Sequence, residues 1–217
     1  MAVRLVLATH NRHKLGELRA VLLPVLPSLS DDDVASSSDV GAPDVAETGV
    51  TFAENALLKA RALAAHTGLP AVADDSGLCV DVLGGAPGVF SARWSGRHGD
   101  DTANVNLVLA QLADVPDAHR GAEFRCAAAL VTPDGTEVVT TGVMRGRLAT
   151  APRGSGGFGY DPILVPDEQP ARAAGRLLTS AELTADEKNA ISHRGTAFRA
   201  LAPAIVAALT GQGIRPT

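Results

Sequence analysis

The sequence predicts an α/β fold with a mixed β-sheet, and three stretches of the chain carry that prediction. The apolar run Val3 to Ala8 is followed by a polar loop and by a helix that Pro24 ends, which forms a strand-loop-helix unit. Two β-rich runs, Phe124 to Thr132 and Glu137 to Leu148, are joined by turn residues and predict a hairpin. A hairpin in the same chain as a strand-loop-helix unit indicates a sheet with both parallel and antiparallel neighbours.

The first loop and the start of the first helix form a candidate anion-binding site. Lys14 falls in the first turn of that helix, where its charge opposes the positive end of the helix dipole. A phosphate held by backbone N–H groups, Thr9, Asn11 and Lys14 would reverse that penalty. The alternative is an exposed lysine without such a role. His10 and His13 have an HxxH spacing, but no third soft ligand lies nearby, which disfavours a zinc site.

A second helix is predicted from a capping box at Thr51 and Glu54, and it runs to about His66. A glycine and a proline after that residue close it. Asn55 and Lys59 lie one turn apart on this helix, so their side chains can reach one site together. Because the rest of the helix is rich in Ala and Leu, we favour a functional role for the lysine.

The acidic pair Asp74 and Asp75 follows the apolar run Leu69 to Ala73 and precedes Ser76 and Gly77, where a strand is predicted to give way to a turn. Adjacent like charges repel, and a shifted pKa or a bound metal ion relieves the repulsion. Ligands that are all oxygen favour Mg²⁺ over Zn²⁺. The alternative is a solvated turn in which one aspartate caps the backbone.

The glycine-rich segment Gly154 to Gly159 fits the dinucleotide pattern GxGxxG by letter. It lacks the preceding strand and the following helix, so we reject a Rossmann site. The glycines instead let the backbone pass close to a flat ligand, with Phe158 and Tyr160 as candidate stacking faces. A glycine-rich surface loop is the alternative.

The remaining elements frame these motifs. The stretch 28–44 is rich in Ser and Asp, and we expect it to be exposed and mobile, with at most one weak strand. A helix is predicted from about Thr102 to Ala113, with an aspartate at its N-cap. Thr184 and Glu187 form a further capping box, which opens a short helix before the closing helix of the chain.

Length, charge and cysteine usage narrow the class of protein. The 217 residues suffice for one α/β domain or for two small lobes that share a core. The net charge of −5 provides no basic surface for a nucleic-acid backbone, so we expect no nucleic-acid partner. The N-terminal apolar run is too short for a signal peptide or a membrane span. Cys79 and Cys126 lie in apolar runs, and we expect them to be buried and reduced in a cytoplasmic protein.

Taken in order, these motifs resemble the inosine triphosphate pyrophosphatase family. The segments that carry the resemblance are Ala8 to Asn11 with Lys14, Glu47 to Gly49 with Thr51 to Ala56, Ala73 to Leu78, Leu83 to Gly88, Ser91 to Arg93, Gly157 to Pro162, and Glu187 to Asn189 with Ser192 to Arg194. One departure is His10, which stands where the family commonly has glycine. The family hydrolyses non-standard purine nucleoside triphosphates such as ITP, dITP and XTP to the monophosphate and pyrophosphate.

The resemblance implies an elongated, two-lobed α/β homodimer with a long central mixed sheet, flanking helices and a deep cleft between the lobes. It implies one domain over residues 1–210. The tail over 211–217 carries no family signal, and from its position at the terminus we expect it to be flexible. The resemblance also implies Mg²⁺ held by Glu47 and Asp75, with Asp75, Asp74 and Lys59 as catalytic residues. The residues that it implies for substrate binding are Thr9, His10, Asn11, Arg12, His13, Lys14, Ser76, Phe158, Gly159, Tyr160, Asp161, Lys188, His193 and Arg194.

Two other functions stay open at this point. One is another Mg²⁺-dependent nucleotide phosphohydrolase with a different base preference or with release of a single phosphate. The other is a non-catalytic nucleotide sensor, which would need the phosphate loop and the base pocket but not the acidic pair. Hydrogen-bond donors aimed at O6 would select a 6-oxo purine over adenine, which presents its own N6 donor.

Overall fold

The computed structural model describes residues 3–213, apart from the side chains of Arg12 and His13, and it confirms a mixed α/β fold. The strands are β1 (Leu5–Leu7), β2 (Val34–Ser36), β3 (Ala71–Val80), β4 (Gly121–Val131), β5 (Glu137–Leu148) and β6 (Leu164–Pro166). The helices are α1 (Arg12–Leu22), α2 (Phe52–Thr67), α3 (Asp101–Gln111), α4 (Ala185–Ile191) and α5 (His193–Thr210). The six strands form one sheet in the order β2-β1-β3-β4-β5-β6.

The strand directions follow from the connections. β1 is parallel to β2 and to β3, because a helix crosses over between each pair of consecutive strands in this part of the chain. β4 and β5 are neighbours joined by a short turn, in which the Thr132 N–H donates to the Thr136 carbonyl at 3.0 Å. β5 is antiparallel to β6. The sheet is therefore mixed, as predicted.

The chain divides into two compact units. Unit 1 consists of Met1–Asp75, Cys126–Gly142 and Arg194–Thr217. Unit 2 consists of Ser76–Arg125 and Val143–His193. Each unit has an apolar core of its own, and each core is mostly aliphatic. Fully buried members include Leu5, Leu18 and Phe198 in unit 1, and Leu78, Val108 and Ile163 in unit 2.

Helix α2 begins and ends where its capping signals predict. Thr51 Oγ1 accepts a hydrogen bond from the Glu54 N–H at 3.1 Å, and the Glu54 carboxylate accepts one from the Thr51 N–H at 3.1 Å. At the other end Gly68 adopts a left-handed conformation with φ of 67°. The predicted capping box at Thr184 and Glu187 is also present, at the start of α4.

The Ser- and Asp-rich stretch is more ordered than its composition suggests. Residues 33–37 are buried, and β2 lies within this part of the chain. The Asp33 carboxylate accepts from the Ser30 N–H at 2.7 Å, and the Asp39 carboxylate accepts from the Ser36 N–H at 2.9 Å. The expectation of an exposed stretch was wrong here, because the polar side chains cap turns that lead into and out of a buried strand.

Strand β3 continues through Ser76 and Gly77, where a turn was predicted. The glycine is needed for close packing instead. A Cβ at position 77 would lie 2.5 Å from the carbonyl oxygen of Gly88 and would also collide with Ser91 Oγ. That hydroxyl in turn accepts a hydrogen bond from the Leu78 N–H at 2.9 Å. The acidic pair therefore lies within a strand and not at its end.

Gly146 of β5 leaves no room for a side chain, and Gly146→Ala is expected to lower the free energy of unfolding by about 1–3 kcal/mol. A Cβ there would lie 2.9 Å from the carbonyl carbon of Val165 and would collide with its oxygen, and backbone atoms cannot rotate away. Chemical denaturation measures the change. The matched control is Gly16→Ala, which lies within α1 with nothing within 4 Å of the added methyl group. It should be neutral or stabilising, because alanine favours helix over glycine. Equal effects of the two changes would contradict the prediction.

Both cysteines are buried, and neither forms a disulfide, as expected. Burial raises the pKa of the Cys79 and Cys126 thiols, so the reactive thiolate form is disfavoured. Across residues 3–213, none of the helices has the length and apolar character that crossing a bilayer requires.

Candidate active site

The two adjacent aspartates of β3 contact different helices. Successive side chains of a strand point to opposite faces of the sheet. Asp74 accordingly contacts side chains from α1 and α5, whereas Asp75 contacts side chains from α2. The predicted repulsion is therefore reduced by the strand geometry and by separate cationic partners. All of these residues belong to unit 1.

Asp74 is the centre of a buried ion cluster. Its Oδ2 atom lies 2.8 Å from Lys14 Nζ and 3.0 Å from Arg194 Nε, and its side chain has no exposed surface. Burial alone would raise the pKa of this carboxyl, but the two cations hold it well below its ordinary value. Arg194 also lies 3.3 Å from Glu17, and these carboxylates raise the pKa of the arginine against the effect of its burial. Asp74 is thus a permanent anion.

Asp75 contacts an amide and an ammonium group, both from α2. Its Oδ2 atom accepts a hydrogen bond from Asn55 Nδ2 at 3.0 Å, and its Oδ1 atom lies 3.7 Å from Lys59 Nζ. Burial nevertheless raises the pKa of Asp75 above its ordinary value. Lys59 Nζ also lies 2.9 Å from Glu47 Oε1, and the nearby carboxylates raise the pKa of Lys59 despite its burial. The arrangement provides a carboxylate that can accept a proton beside a fixed ammonium group.

The loop between β1 and α1 is held by hydrogen bonds on both sides. Thr9 Oγ1 accepts from the Asn11 N–H at 3.0 Å, and the Thr9 carbonyl accepts from Ser37 Oγ at 2.8 Å. The His10 ring nitrogens lie 2.8 Å from Ser38 Oγ and 2.7 Å from Asp44 Oδ1. Position 10 therefore fixes the loop to the segment after β2. The side chains of Arg12 and His13, also predicted to bind substrate, lie outside the described residues.

The carboxylates around Lys59 fit a hard divalent cation. Asp74 Oδ1 is buried and has no hydrogen-bond partner among the described residues. Glu47 and Asp75 share Lys59 as an ion-pair partner, so their carboxylates are close neighbours. The described chain holds no preassembled group of three His, Cys, Asp or Glu ligands. A donor set of one or two carboxylates suits Mg²⁺, which keeps several waters and takes substrate oxygens as further ligands.

The predicted base-binding residues of unit 2 gather around the glycine-rich loop. The Asp161 carboxylate accepts a hydrogen bond from the Phe158 N–H at 2.8 Å and also forms an ion pair with Lys188. The Lys188 ammonium lies 5.1 Å from the centroid of the Phe158 ring, which is within cation–π range. The Phe158 side chain is exposed, so a planar ligand can reach it. As expected, no helix follows the loop directly; the next strand is β6.

Four further predicted residues lie in buried or half-buried surroundings. Tyr160 is part of the unit 2 core, and its hydroxyl donates to the Ser91 carbonyl at 2.8 Å. It is therefore a packing residue, and the prediction of an open stacking face there was wrong. His193 is buried, with its ring stacked on that of Phe124 at 5.1 Å between centroids. Arg194 is buried and forms ion pairs with Asp74 and Glu17. Ser76 is half-buried in β3.

Sequence reasoning missed two acidic residues of these clusters. Glu17 lies one turn after Lys14 on α1, and this spacing places both residues on one helix face. The spacing of these two residues could therefore have indicated Glu17 from the sequence alone. Asp101 accepts a hydrogen bond from the Gly159 N–H at 2.7 Å across 58 residues of sequence. No local pattern indicates such a contact.

Comparison with known proteins relates the chain to one family along most of its length. The model of the Ham1 family matches residues 5–204. A dITP/XTP pyrophosphatase of Streptomyces coelicolor is 64% identical over 202 residues, which are 93% of this chain and 96% of that protein. The structure of a HAM1 protein from Coxiella burnetii superposes with a TM-score of 0.81 at 40% identity, covering 95% of this chain and 100% of that one. A nucleoside-triphosphatase / dITP/XTP pyrophosphatase from Mycobacterium abscessus gives a TM-score of 0.72 at 52% identity, covering 94% of this chain and 100% of that one.

Proposed function

The chain belongs to the Ham1 family, and from this premise we propose that it hydrolyses non-standard purine nucleoside triphosphates to the nucleoside monophosphate and pyrophosphate. The observation that carries the proposal is its high identity to proteins named dITP/XTP pyrophosphatases over nearly the whole of both chains. The substrates are then ITP, dITP and XTP, whose removal cleanses the nucleotide pool.

Asp75 is the proton acceptor for the attacking water in this proposal. A general base works best when its pKa lies closer to the working pH than that of a free carboxyl, and burial raises the pKa of Asp75 in that direction. The Asn55 amide fixes one carboxylate oxygen, which leaves the other oriented toward Lys59. The Lys59 ammonium stabilises the negative charge that develops on the phosphoryl oxygens.

Asp74 and its partners position the phosphate-binding groups. Lys14 reaches toward the polyphosphate from the first turn of α1, and its ion pair with Asp74 limits the directions in which it can point. Arg194 and Glu17 hold that carboxylate from the other side. Thr9 and Asn11 complete the phosphate loop, since a hydroxyl that accepts one hydrogen bond can still donate its own proton.

We assign Glu47 and Asp75, which share Lys59 as an ion-pair partner, as the residues that would hold Mg²⁺. The ion supplies Lewis-acid polarisation of phosphoryl oxygens when it is bound. The choice of magnesium rests on the donor set, which is all oxygen and includes no soft ligand.

The glycine-rich loop of unit 2 supplies base recognition in the same proposal. Phe158 stacks on the purine, and the Lys188 and His193 side chains supply donors for the 6-oxo edge. A site that donates to O6 leaves its donors unpaired with adenine, and such mismatches cost about 10⁴-fold in kcat/KM. Arg194 is a further donor for that edge in this proposal, and its ion pair with Asp74 holds the guanidinium in place.

We propose that residues 1–210 act as one catalytic domain, since the family model covers residues 5–204. A homodimer follows from the family resemblance. The acidic net charge of −5 supports a free nucleotide, not a nucleic acid, as the partner. The two buried free thiols are consistent with a cytoplasmic location, where such nucleotides arise.

A panel of purine triphosphates assayed for both phosphate products tests the function. With Mg²⁺, ITP, dITP and XTP are expected to release pyrophosphate, and ATP is expected to be about 10⁴-fold poorer. Omission of the metal with added chelator should abolish release. Orthophosphate as the product would favour the alternative phosphohydrolase, and tight nucleotide binding without turnover would favour a sensor.

A further inference from the structure

Two consecutive backbone N–H groups of the glycine-rich loop are bound by two carboxylates from different parts of unit 2. The Phe158 N–H donates to Asp161 at 2.8 Å, and the Gly159 N–H donates to Asp101 at 2.7 Å. Asp161 follows the loop directly in sequence, whereas Asp101 lies in the first turn of α3. Hydrogen bonds to charged acceptors are stronger than neutral ones. Together they fix the two peptide planes on either side of the Phe158 Cα atom, which carries the ring.

Asp101 is not required to cap its own helix. Its neighbour Asp100 is the N-cap residue of α3, and Asp100 Oδ1 accepts from the Ala103 N–H at 3.0 Å. The adjacent aspartate is therefore available to the loop. Its negative charge also lies near Tyr160, whose pKa is raised by burial and by Asp101.

Packing between α3 and the loop is incomplete. A cavity of about 290 Å³ is lined by α3 residues, by Pro152 and Pro162, and by residues 155–159 of the loop. The hydrogen bond from the Gly159 N–H to Asp101 connects the loop to α3 beside this space. Without it, the loop has room to move into the cavity and to carry the exposed Phe158 ring with it.

We propose that Asp101 is a positioning residue for purine recognition: it holds the Gly159 amide and thereby sets the orientation of the Phe158 ring for stacking on the base. This inference rests on the proposed function, in which Phe158 stacks on the purine. Asp101 does not touch the nucleotide or the reacting phosphate.

The test compares ligands with and without a base on Asp101→Ala and Asp101→Asn proteins. Calorimetry measures the Kd of inosine monophosphate, which carries the purine, and of inorganic tripolyphosphate, which does not. The alanine variant is expected to bind inosine monophosphate about tenfold more weakly and tripolyphosphate as tightly as the unmodified protein. The asparagine variant keeps an oxygen acceptor for Gly159 and should retain most of the affinity. In turnover, the KM for ITP should rise more than kcat falls.

The control variant is Asp114→Ala, which removes an exposed aspartate just beyond the other end of α3 and should change neither Kd. An equal loss of affinity for inosine monophosphate and for tripolyphosphate would indicate a general loss of structure and would overturn the proposal. Equal losses in the alanine and asparagine variants would also overturn it, because charge alone would then account for the effect. Failure of the unmodified protein to release pyrophosphate from ITP would instead refute the proposed function, and the binding comparison would still decide the role of Asp101.

Discussion

Replacing Asp75 with asparagine is expected to lower kcat for ITP hydrolysis by about 10³- to 10⁴-fold while the nucleotide still binds. The change keeps the size of the side chain and one oxygen, but an amide cannot accept the proton of the attacking water. Lys14 pairs with Asp74, and Lys59 keeps its ion pair with Glu47, so we expect both ammonium groups to remain in place for the polyphosphate. The measurement is steady-state release of pyrophosphate, with the Kd of ITP determined by calorimetry on the inactive variant.

Asp32→Asn is the matched control, since this aspartate is exposed in the same unit and should leave turnover unchanged. Turnover of the Asp75 variant within a factor of ten of the unmodified protein would remove Asp75 from the role of base. Loss of nucleotide binding together with turnover would show that the carboxylate serves mainly to hold the substrate complex together.

Asp74→Ala is expected to lower the free energy of unfolding by about 3–5 kcal/mol, the largest stability effect that we predict. The substitution removes the carboxylate that pairs with both the buried Arg194 guanidinium and the Lys14 ammonium. A buried charge without compensation costs far more than the ion pair contributes, because its hydration is not recovered. Urea unfolding monitored by far-ultraviolet circular dichroism measures the change.

Asp74→Asn separates this loss of charge compensation from simple loss of contacts. The amide oxygen can still accept hydrogen bonds from Lys14 and Arg194, so the asparagine variant should be clearly more stable than the alanine variant. A surface substitution, Asp32→Ala, should change stability by no more than about 0.5 kcal/mol. An Asp74→Ala protein as stable as the Asp32→Ala protein would show that the cluster carries little folding energy.

The elements that sequence predicted well are those encoded by neighbouring residues. The capping pair Thr51 and Glu54 and the terminal Gly68 determine α2 without help from distant parts of the chain. The turn before Glu137 likewise determines the connection between β4 and β5. Family resemblance then provided the fold class and the reaction, since the motifs occur in one order along the chain.

The features that sequence did not predict depend on long-range packing. Tyr160 was predicted to face a ligand because it is an aromatic residue next to a glycine-rich loop, but it is buried in the unit 2 core. The contact of Arg194 with Glu17 joins residues 177 positions apart, which no spacing rule anticipates. The Ser- and Asp-rich stretch was predicted to be exposed because of its average polarity, but two of its aspartates accept hydrogen bonds from backbone N–H groups.

Successive side chains of β3 point to opposite faces of the sheet, so the position of each aspartate in the strand decides which helices it contacts. Inserting one residue into the strand ahead of the aspartates would exchange the two carboxylates between α2 and the α1–α5 side, so that each acid would meet the wrong cation. Inserting two residues would return each carboxylate to its original face of the sheet. The number of residues between the start of β3 and the acids is therefore constrained by the chemistry as strictly as the identity of the acids.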